Sequence, residues 1–577
     1  MMKLWHISIL ISGLFTFCFG SGCQAIAKEL CPNVYLESEF KITLTTVEES
    51  LICDGKGGKD WRYIPLRQKS SFLKKFLANR GFYSPEFIEK NGQLTIRSGR
   101  RSYIDRVEIK NNLLNLDIDR FWRVFGQIMN SENLDKIESW VKTQYSQQSY
   151  PCFVISTKAF PDKNLVQLSL ANLDRKRFGK IIDEEDSPFS RFARRRYDAF
   201  IEGEPFDSRL TALTSKRIAF SDLVIDHSFS VICDKESSYV DLRQKSVRSK
   251  PRLVSVGMGF DSDDLLFLEA GWRNSGLFDS FSNFQSRAYL SALRQHLSGE
   301  FNWYYAPLQT RHHLQTFAIA EHMKNANYES KSVDIRSGPV IDLDRQGYHI
   351  SLFAGPSFEH SWISGAEGPR ISNTFRSVSR TVFETHQLEL DKDNPYTGHL
   401  FGLDLKYAQK KMGSDFTGTQ WHLFGKYFYN ILDLSPAIWV VGLRGGLVWF
   451  DHQKSDRHAI PANAYPRLGG SDTLRGFAYE SLPAPGLNKA LYSGVEFRIK
   501  SIFSYGIEPY IFLDQARLSS EEETFGQHAY ISPGMGVHWN SPLGAVRFYM
   551  SYPLITRTES DTSKEGVKFN INLGEDF

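Results

Sequence analysis

The sequence predicts an α+β array of small β-α-α-β-β units followed by a 16-stranded antiparallel transmembrane β-barrel. Three observations carry this reading. Before about residue 250, amphipathic helices alternate with short strands; after it the pattern is strand, turn, strand almost without interruption. The strands of the second part alternate apolar and polar residues with period two over roughly ten residues each, the length and pattern a tilted membrane strand needs. Aromatic residues make up 14% of the chain, including 43 Phe, 25 Tyr and 11 Trp, which suits a barrel with aromatic girdles.

Composition limits the alternatives. The 577 residues carry a net charge of +3, so bulk charge gives no case for nucleic-acid binding. Charged residues at 23% and a mean hydropathy of −0.35 exclude a polytopic helical membrane protein. They do not exclude a membrane barrel, in which only every second strand residue must be apolar.

The chain opens with Lys3, an apolar run from Ile7 to Phe19, and Ala25-Ile26-Ala27. That run is too short to span a bilayer and has the form of a signal peptide with an A-x-A cleavage site. Residues 1–27 are therefore predicted to be removed. A lipid-attachment reading at Cys23 fails at Gly20, where a large aliphatic residue is wanted. No later stretch reaches 18 apolar residues, so no transmembrane helix is predicted.

Four cysteines follow the leader: Cys31, Cys53, Cys152 and Cys233. None forms C-x-x-C, and no histidine stands at zinc-ligand spacing beside them, so no metal is expected. In an oxidising compartment Cys31–Cys53 is a plausible disulfide, while Cys152 and Cys233, on strands of different units, are not expected to bond.

Three units of ~75 residues are predicted, at 28–100, 101–174 and 175–249. In the first, Phe72-Leu73 and Phe76-Leu77 mark a helix ended by Gly81, and Gln93–Ile96 is a strand. In the second, Tyr103–Ile109 is a strand, Phe121–Ile128 and Ile137–Tyr145 are helices, and Cys152–Ala159 with Leu165–Leu170 a strand pair. In the third, strand Phe178–Ile182 leads to helices Phe189–Arg196 and Leu210–Ile218, then strands Leu223–Ile232 and Tyr239–Arg243. Gly55–Lys59 lacks the spacing of a phosphate loop and reads as a turn. Arg175-Lys176-Arg177 with Arg191 and Arg194–Arg196 form a basic cluster, read either as a solvated helix face or as a contact for lipid phosphates or an acidic partner surface.

From 250 to 577 sixteen strands are predicted, centred near Val256, Leu268, Tyr289, Trp303, Ile319, Ile335, Phe353, Val382, Leu403, Phe424, Leu443, Val495, Phe512, Met535, Phe548 and Ile571. Phe569, Ile571 and Leu573 share a face of the last strand, and the chain ends on the aromatic Phe577. The longest interruption, 451–487, contains Leu474-Arg475-Gly476-Phe477. By parity Glu496 and Asp514 fall on the lumen face of the next two strands, and a buried arginine wants bidentate carboxylates.

These residues carry a resemblance. Leu474-Arg475-Gly476-Phe477 resembles the (V/I/L)-R-G-F signature of the POTRA–barrel superfamily of outer-membrane assembly and transport proteins. Phe512-Leu513-Asp514-Gln515-Ala516 resembles its F-x-D-x-G, with Ala516 in place of the glycine. Val256–Phe260, Trp272–Phe278, Gly536–Tyr552 and Glu202–Asp207 also resemble family segments. The resemblance implies an outer-membrane barrel with periplasmic POTRA units. It implies that loop 451–487 enters the lumen and that Arg475 meets Glu496 and Asp514. The three units resemble the TamA branch rather than BamA-type proteins with five or two-partner secretion (TpsB-like) transporters with two.

The implied function is insertion or export of autotransporter-type clients through a lateral seam between the first and last strands, here Gly257 and Gly259 against Phe569, Ile571, Leu573 and Phe577. A general BamA-like insertase or a two-partner transporter is the alternative. Implied partners are unfolded outer-membrane clients, outer-membrane lipids and a TamB-like, inner-membrane-anchored periplasmic protein. No cofactor is implied. No G-x-S-x-G or H-E-x-x-H occurs, so His312-His313 and the other histidines are read as loop or lumen residues and no enzyme is expected. A passive porin would leave the array and the R-G-F loop unexplained.

Overall fold

The computed structural model describes residues 26–31, 33–40, 42, 44–46, 48, 53, 66–118, 124–183, 193, 195–221, 224–261, 265–278, 281–304, 311–324, 328–345, 347–366, 368–390, 394–434, 437–482, 488–501, 503, 506–519, 528–541, 544–555 and 566–573. The leader up to residue 25, Gly55–Lys59, most of Phe189–Arg196 and Phe577 lie outside these. The chain divides into two compact units, Met1–Val141 with Val154–Ala171, and Lys142–Phe153 with Asn172–Phe577.

The first compact unit holds two small sheets. Strands β1 (Ile26–Cys31), β2 (Val34–Ser38), β3 (Glu86–Lys90) and β4 (Gln93–Arg97) form a sheet in the order β1-β2-β4-β3. Helix α1 (Leu66–Ala78) places Leu73, Phe76 and Leu77 on one face by their three- and four-residue spacing. They pack with Val34, Leu36, Leu94 and Ile96 around a Cys31–Cys53 disulfide. The second sheet has the order β5-β7-β6, from β5 (Arg106–Lys110), β6 (Val154–Phe160) and β7 (Leu165–Ala171). Helix α2 (Ser131–Ser146) contributes buried Ile137 and Val141.

The helix predicted at Phe121–Ile128 does not form over its described part, 124–128. Gly126 sits at φ +73°, outside the helical region, and its N–H donates to the Ile104 carbonyl at 2.8 Å. That segment spends its hydrogen bonds on the edge of the neighbouring backbone instead of on a helix.

The second compact unit begins with the third small sheet, β8-β10-β9, from β8 (Arg177–Asp183), β9 (Val224–Ile232) and β10 (Tyr239–Arg248). Helix α3 (Ser208–Phe220) starts at Asp207, whose carboxylate accepts the Arg209 N–H at 2.9 Å. Phe178, Phe200, Phe206, Leu213 and Val240 fill the core.

One expectation is corrected here and another holds in part. Cys152 and Cys233 are joined in a disulfide. Cys152 precedes β6 and Cys233 follows β9, so neither is committed to a strand ladder, and both belong to this compact unit. The described part of the basic cluster is split: Arg175 and Arg177 are exposed, as a solvated face requires, while Lys176, Arg195 and Arg196 are buried. Lys176 is buried and its ammonium donates to the carbonyls of Asp234 and Ser237. Arg195 is buried with Asp183 at 3.3 Å.

The barrel closes in the order of the chain. Its strands are β11 (Arg252–Asp261), β12 (Leu265–Leu277), β13 (Ser282–Leu290), β14 (Arg294–Trp303), β15 (His313–Lys324), β16 (Glu329–Arg345), β17 (Tyr348–Ser364), β18 (Ile371–Thr385), β19 (Gly398–Ala408), β20 (Gly418–Leu434), β21 (Ala437–His452), β22 (Lys489–Lys500), β23 (Ile507–Ser519), β24 (His528–Ser541), β25 (Gly544–Ser551), β26 (Leu554–Ile555) and β27 (Lys568–Leu573). β26 continues β25 past Pro553, which has no N–H for the ladder; both pair with β24, so the two make one crossing and the barrel has sixteen. All sixteen predicted strand centres fall within these crossings. The outward face of β11 is apolar, with Val254, Val256, Met258 and Phe260 exposed while Gly257 and Gly259 alternate inward.

Helix α3 docks on the barrel's turn helix α4 (His386–Leu390). Arg217, 4% exposed, donates from Nε and Nη2 to the two Glu389 oxygens at 2.7 and 2.6 Å, and from Nη2 to Asp344 at 2.7 Å. Arg311 lies 3.3 Å from Asp344 and 3.4 Å from Glu389. Arg196 caps the ring of Tyr304 at 4.1 Å. Burial alone would push the Glu389 carboxyl up, but the guanidinium of Arg217 overrides this and holds it at about 2.

This gives a first prediction. A carboxyl depressed from its ordinary 4.5 to about 2 contributes stability that is complete above the ordinary value and lost as pH falls through the folded one. The thermal transition of the third small unit should therefore hold steady from neutrality to about pH 5 and drop below about pH 4. Glu389→Ala leaves Arg217 short of a partner and should destabilise that unit by roughly 3–5 kcal/mol, read by calorimetry.

Candidate functional site

The connection between β21 and β22 folds back against the inner wall. Leu468, Leu474, Phe477 and Leu482 from this loop pack with Tyr492, Ala516, Leu518 and Tyr530 of the wall. The Phe477 and Tyr530 rings meet edge-on at 5.4 Å. Ala516, where the family pattern has glycine, is buried within this cluster. The hydrophobes fix the loop, and between them they carry one arginine to a defined spot.

That arginine is Arg475. Its Nε donates to Asp514 Oδ2 at 2.8 Å and its Nη2 to Asp514 Oδ1 at 2.9 Å, a two-pronged pair. Nη1 reaches Glu496 Oε2 at 2.6 Å. The guanidinium lies 3.4 Å from the centre of the Phe512 ring. Asp514 is fully buried and Arg475 is 7% exposed, so each charge has exchanged water for the other. The Arg475 backbone takes part as well: its N–H faces Asp514 at 3.3 Å and its carbonyl accepts from Ser551 Oγ at 2.8 Å.

Two more arginines complete the cluster. Arg444 Nη2 lies 2.8 Å from Asp514, and Arg498 Nε 2.9 Å from Glu496. Arg444 also donates to the Ser471 carbonyl of the loop. Parity puts Arg498 on the lumen face beside Glu496. Arg444 escapes sequence reasoning because it meets Asp514 only through register, Arg444 opposite Gly494 and Gly494 opposite Asp514 across three strands. Gly476 next to Arg475 sits close to the wall: a Cβ there would lie 2.3 Å from Ser532 Oγ, and that hydroxyl would have to turn away.

The loop is fastened across the lumen too. Arg294 of β14 stands 4.3 Å from the Tyr479 ring, and Asn463 donates to Glu359 of β17 at 2.7 Å. It thus touches walls built from strands far apart in the barrel order. Among the described residues one group of His and carboxylates, Asp344, His386 and Glu389, has metal-like spacing. Both its carboxylates are already neutralised by Arg217 and Arg311. The group therefore behaves as an ion-pair network.

At the seam, β27 pairs with β11 in four described positions, Met258–Leu573, Gly259–Asn572, Phe260–Ile571 and Asp261–Asn570. On its other side β27 makes six pairs with β25, where Phe569 faces Met550, and β11 makes ten with β12. Gly257 is outside the described β11–β27 pairing. Gly259 makes room for the Phe267 ring, which a Cβ would meet at 2.1 Å. Phe569 and Ile571 point outward.

A closed sixteen-crossing barrel with an apolar outer band, an arginine-tethered lumen loop and small β/α units ahead of it defines a membrane β-barrel protein with a loop held in its lumen. Residues 373–577 match the Omp85 superfamily domain. The match covers the barrel from within β18 onward; the barrel lies in an outer membrane, with the preceding POTRA-like units in the periplasm. The rim at the start of β11 is then periplasmic, and the rim from which the lumen loop departs is external.

Solved structures with the same architecture include CdiB from Escherichia coli, at 11% identity and TM-score 0.50, covering 89% of this chain and 98% of that one. CdiB from Acinetobacter baumannii matches at 13% identity and TM-score 0.49, covering 92% and 100%. BamA from Haemophilus ducreyi lacking POTRA domains 1–3 matches at 17% identity and TM-score 0.48, covering 81% and 98%.

Because Asp514 is fully buried, Arg475→Ala strands it without its main partner and should cost on the order of 3–5 kcal/mol. Arg475→Lys keeps the charge but not the fork and should fall between wild type and alanine. Heat-induced gel-mobility shift of the barrel reads both; an unchanged transition in Arg475→Ala would rule out a stabilising tether.

Proposed function

We propose that the protein assembles or translocates outer-membrane clients by opening the seam between β11 and β27, in the manner of the translocation and assembly module. The observation that carries this reading is where the cylinder closes: β11 and β27, the first and last barrel strands, pair with each other, and Gly257 and Gly259 of β11 bring no side chain to that junction. A junction between terminal strands is the edge that can exchange with an incoming strand. The tethered loop supports the same reading, since it stands in the lumen and anchors to walls on both sides.

In this mechanism no side chain does chemistry. The POTRA-like units offer strand edges to unfolded autotransporter-type clients and a docking surface to an inner-membrane-anchored, TamB-like partner. The barrel then templates the client's strand at the seam and releases it into the bilayer. Non-enzymatic action follows from backbone hydrogen-bond exchange, which balances bonds broken against bonds formed.

The test is a reversible lock. Phe260 and Ile571 face each other across the seam and both point outward, so Phe260→Cys with Ile571→Cys should crosslink without entering the lumen. Client assembly should stop when the pair is oxidised and resume on reduction. If locked protein assembles clients at the normal rate, the route is not through the seam. Export of a soluble client by locked protein would favour a two-partner transporter, and loss of all barrel assembly on depletion a general insertase.

A further inference from the structure

The arginine cluster of the lumen loop is reached from the periplasmic side as well. Between α4 and β19 the chain passes Asn394, Pro395 and Tyr396. Asn394 donates from Nδ2 to Glu508 Oε2 at 2.9 Å. Its Oδ1 accepts from Arg498 Nη1 at 3.2 Å, and its carbonyl accepts from Lys500 Nζ at 2.8 Å. The Lys500 ammonium also lies 5.3 Å from the centre of the Tyr396 ring. These partners sit on β22 and β23, three and four crossings on from β19. By parity with Glu496 and Asp514 they face the lumen. The connection is therefore a strap across the periplasmic end of the lumen, not a turn that follows the rim. Pro395, which is buried, stiffens it by fixing φ.

One end of the strap is held by the third small unit. Arg217 grips Glu389 with two nitrogens, and Lys216 Nζ donates to the Leu390 carbonyl. The other end leads to the loop through two rigid planes. The Arg498 guanidinium presents Nη1 to Asn394 and Nε to Glu496 Oε1, the latter at 2.9 Å. The Glu496 carboxylate presents its second oxygen to Arg475 Nη1 at 2.6 Å. The nitrogens of a guanidinium and the oxygens of a carboxylate are fixed in a plane, so neither group can turn toward one partner without turning away from the other. By these contacts, and along the chain from Leu390 to Asn394, α3 is joined to the tip of the loop.

Hydrogen-bond and ion-pair networks carried on rigid elements couple sites that share no contact of their own. We propose that the strap is a coupling element between the third small unit and the lumen loop. Asn394 and Arg498 are its positioning residues: through them the docking of α3 on α4 is felt at Arg475, and undocking α3 loosens the loop. The strap belongs neither to the seam nor to the loop. The coupling holds whichever route clients take, so its failure would leave the seam reading standing.

The reporter is Ala478→Cys, at a half-buried position beside the loop motif. Cys31–Cys53 and Cys152–Cys233 are bonded, and a polyethylene-glycol maleimide added to intact cells approaches residue 478 from outside. Its labelling rate, scored on the heat-modifiable folded band of the full-length protein, reads how often the loop leaves its seat. Arg217→Gln frees α4 from α3 while Arg311 stays beside Asp344 and Glu389. Asn394→Ala cuts the strap from Arg498 and Glu508. Each should speed labelling about fivefold, and the double variant should be no faster than the faster single one, because both break the same connection. If Asn394→Ala fails to reach the membrane, Asn394→Ser is read in its place. A wild-type rate in either single variant overturns the proposal. So does a double variant whose rate shows the product of the two effects, which would mean that the unit and the strap act on the loop independently.

Discussion

The arrangement of the barrel interior depends on one ion pair, Arg475 with Asp514. It is buried on both sides, so it cannot be traded for water without a large penalty. Three guanidiniums, from Arg444, Arg475 and Arg498, share two carboxylates, from Asp514 and Glu496, and leave one formal positive charge. Each carboxylate is therefore held by two arginines, while Arg475 alone bridges both. It is also the member that comes from the loop. The other four belong to the wall, so the cluster works as a socket into which the loop plugs one residue.

The same chain meets opposite solvents on the two faces of its sheet. Outward, period-two alternation presents leucine, valine and aromatic rings; inward, the alternate positions hold the ion pairs, histidines and glycines. A slip of one residue in any ladder would exchange these sets, so burial of the charge cluster and exposure of the apolar band jointly fix the register. The third small unit follows a related logic on the periplasmic rim. Arg217 is inserted between two barrel carboxylates and is covered by the docked helix, so separating the two would uncover all three charges together.

Most of the architecture could be read from residue pattern because barrel strands are local: alternation within about ten residues identifies each crossing without knowledge of its neighbours. Arg475, Glu496 and Asp514 could be named from motif and parity for the same reason. What escaped is what depends on register or on irregular backbone. Arg444 reaches Asp514 only across three aligned strands. Gly126 turns an apolar stretch with helical spacing into a bridge to Ile104. Cys152 and Cys233 meet through connections, where spacing along the chain says nothing of distance in space.

The Arg475 carbonyl is held by Ser551, which lies 76 residues later on the strand next to the last. Asp514, 39 residues later, holds its side chain. The loop is thus pinned inside by strands that follow it in the chain. The loop's inner anchors come from β23 and β25, so its seat is complete only once both of those strands are in place. The arginine plug thus ties the loop to the last third of the barrel's own chain, so a change in those late strands would be felt inside the lumen.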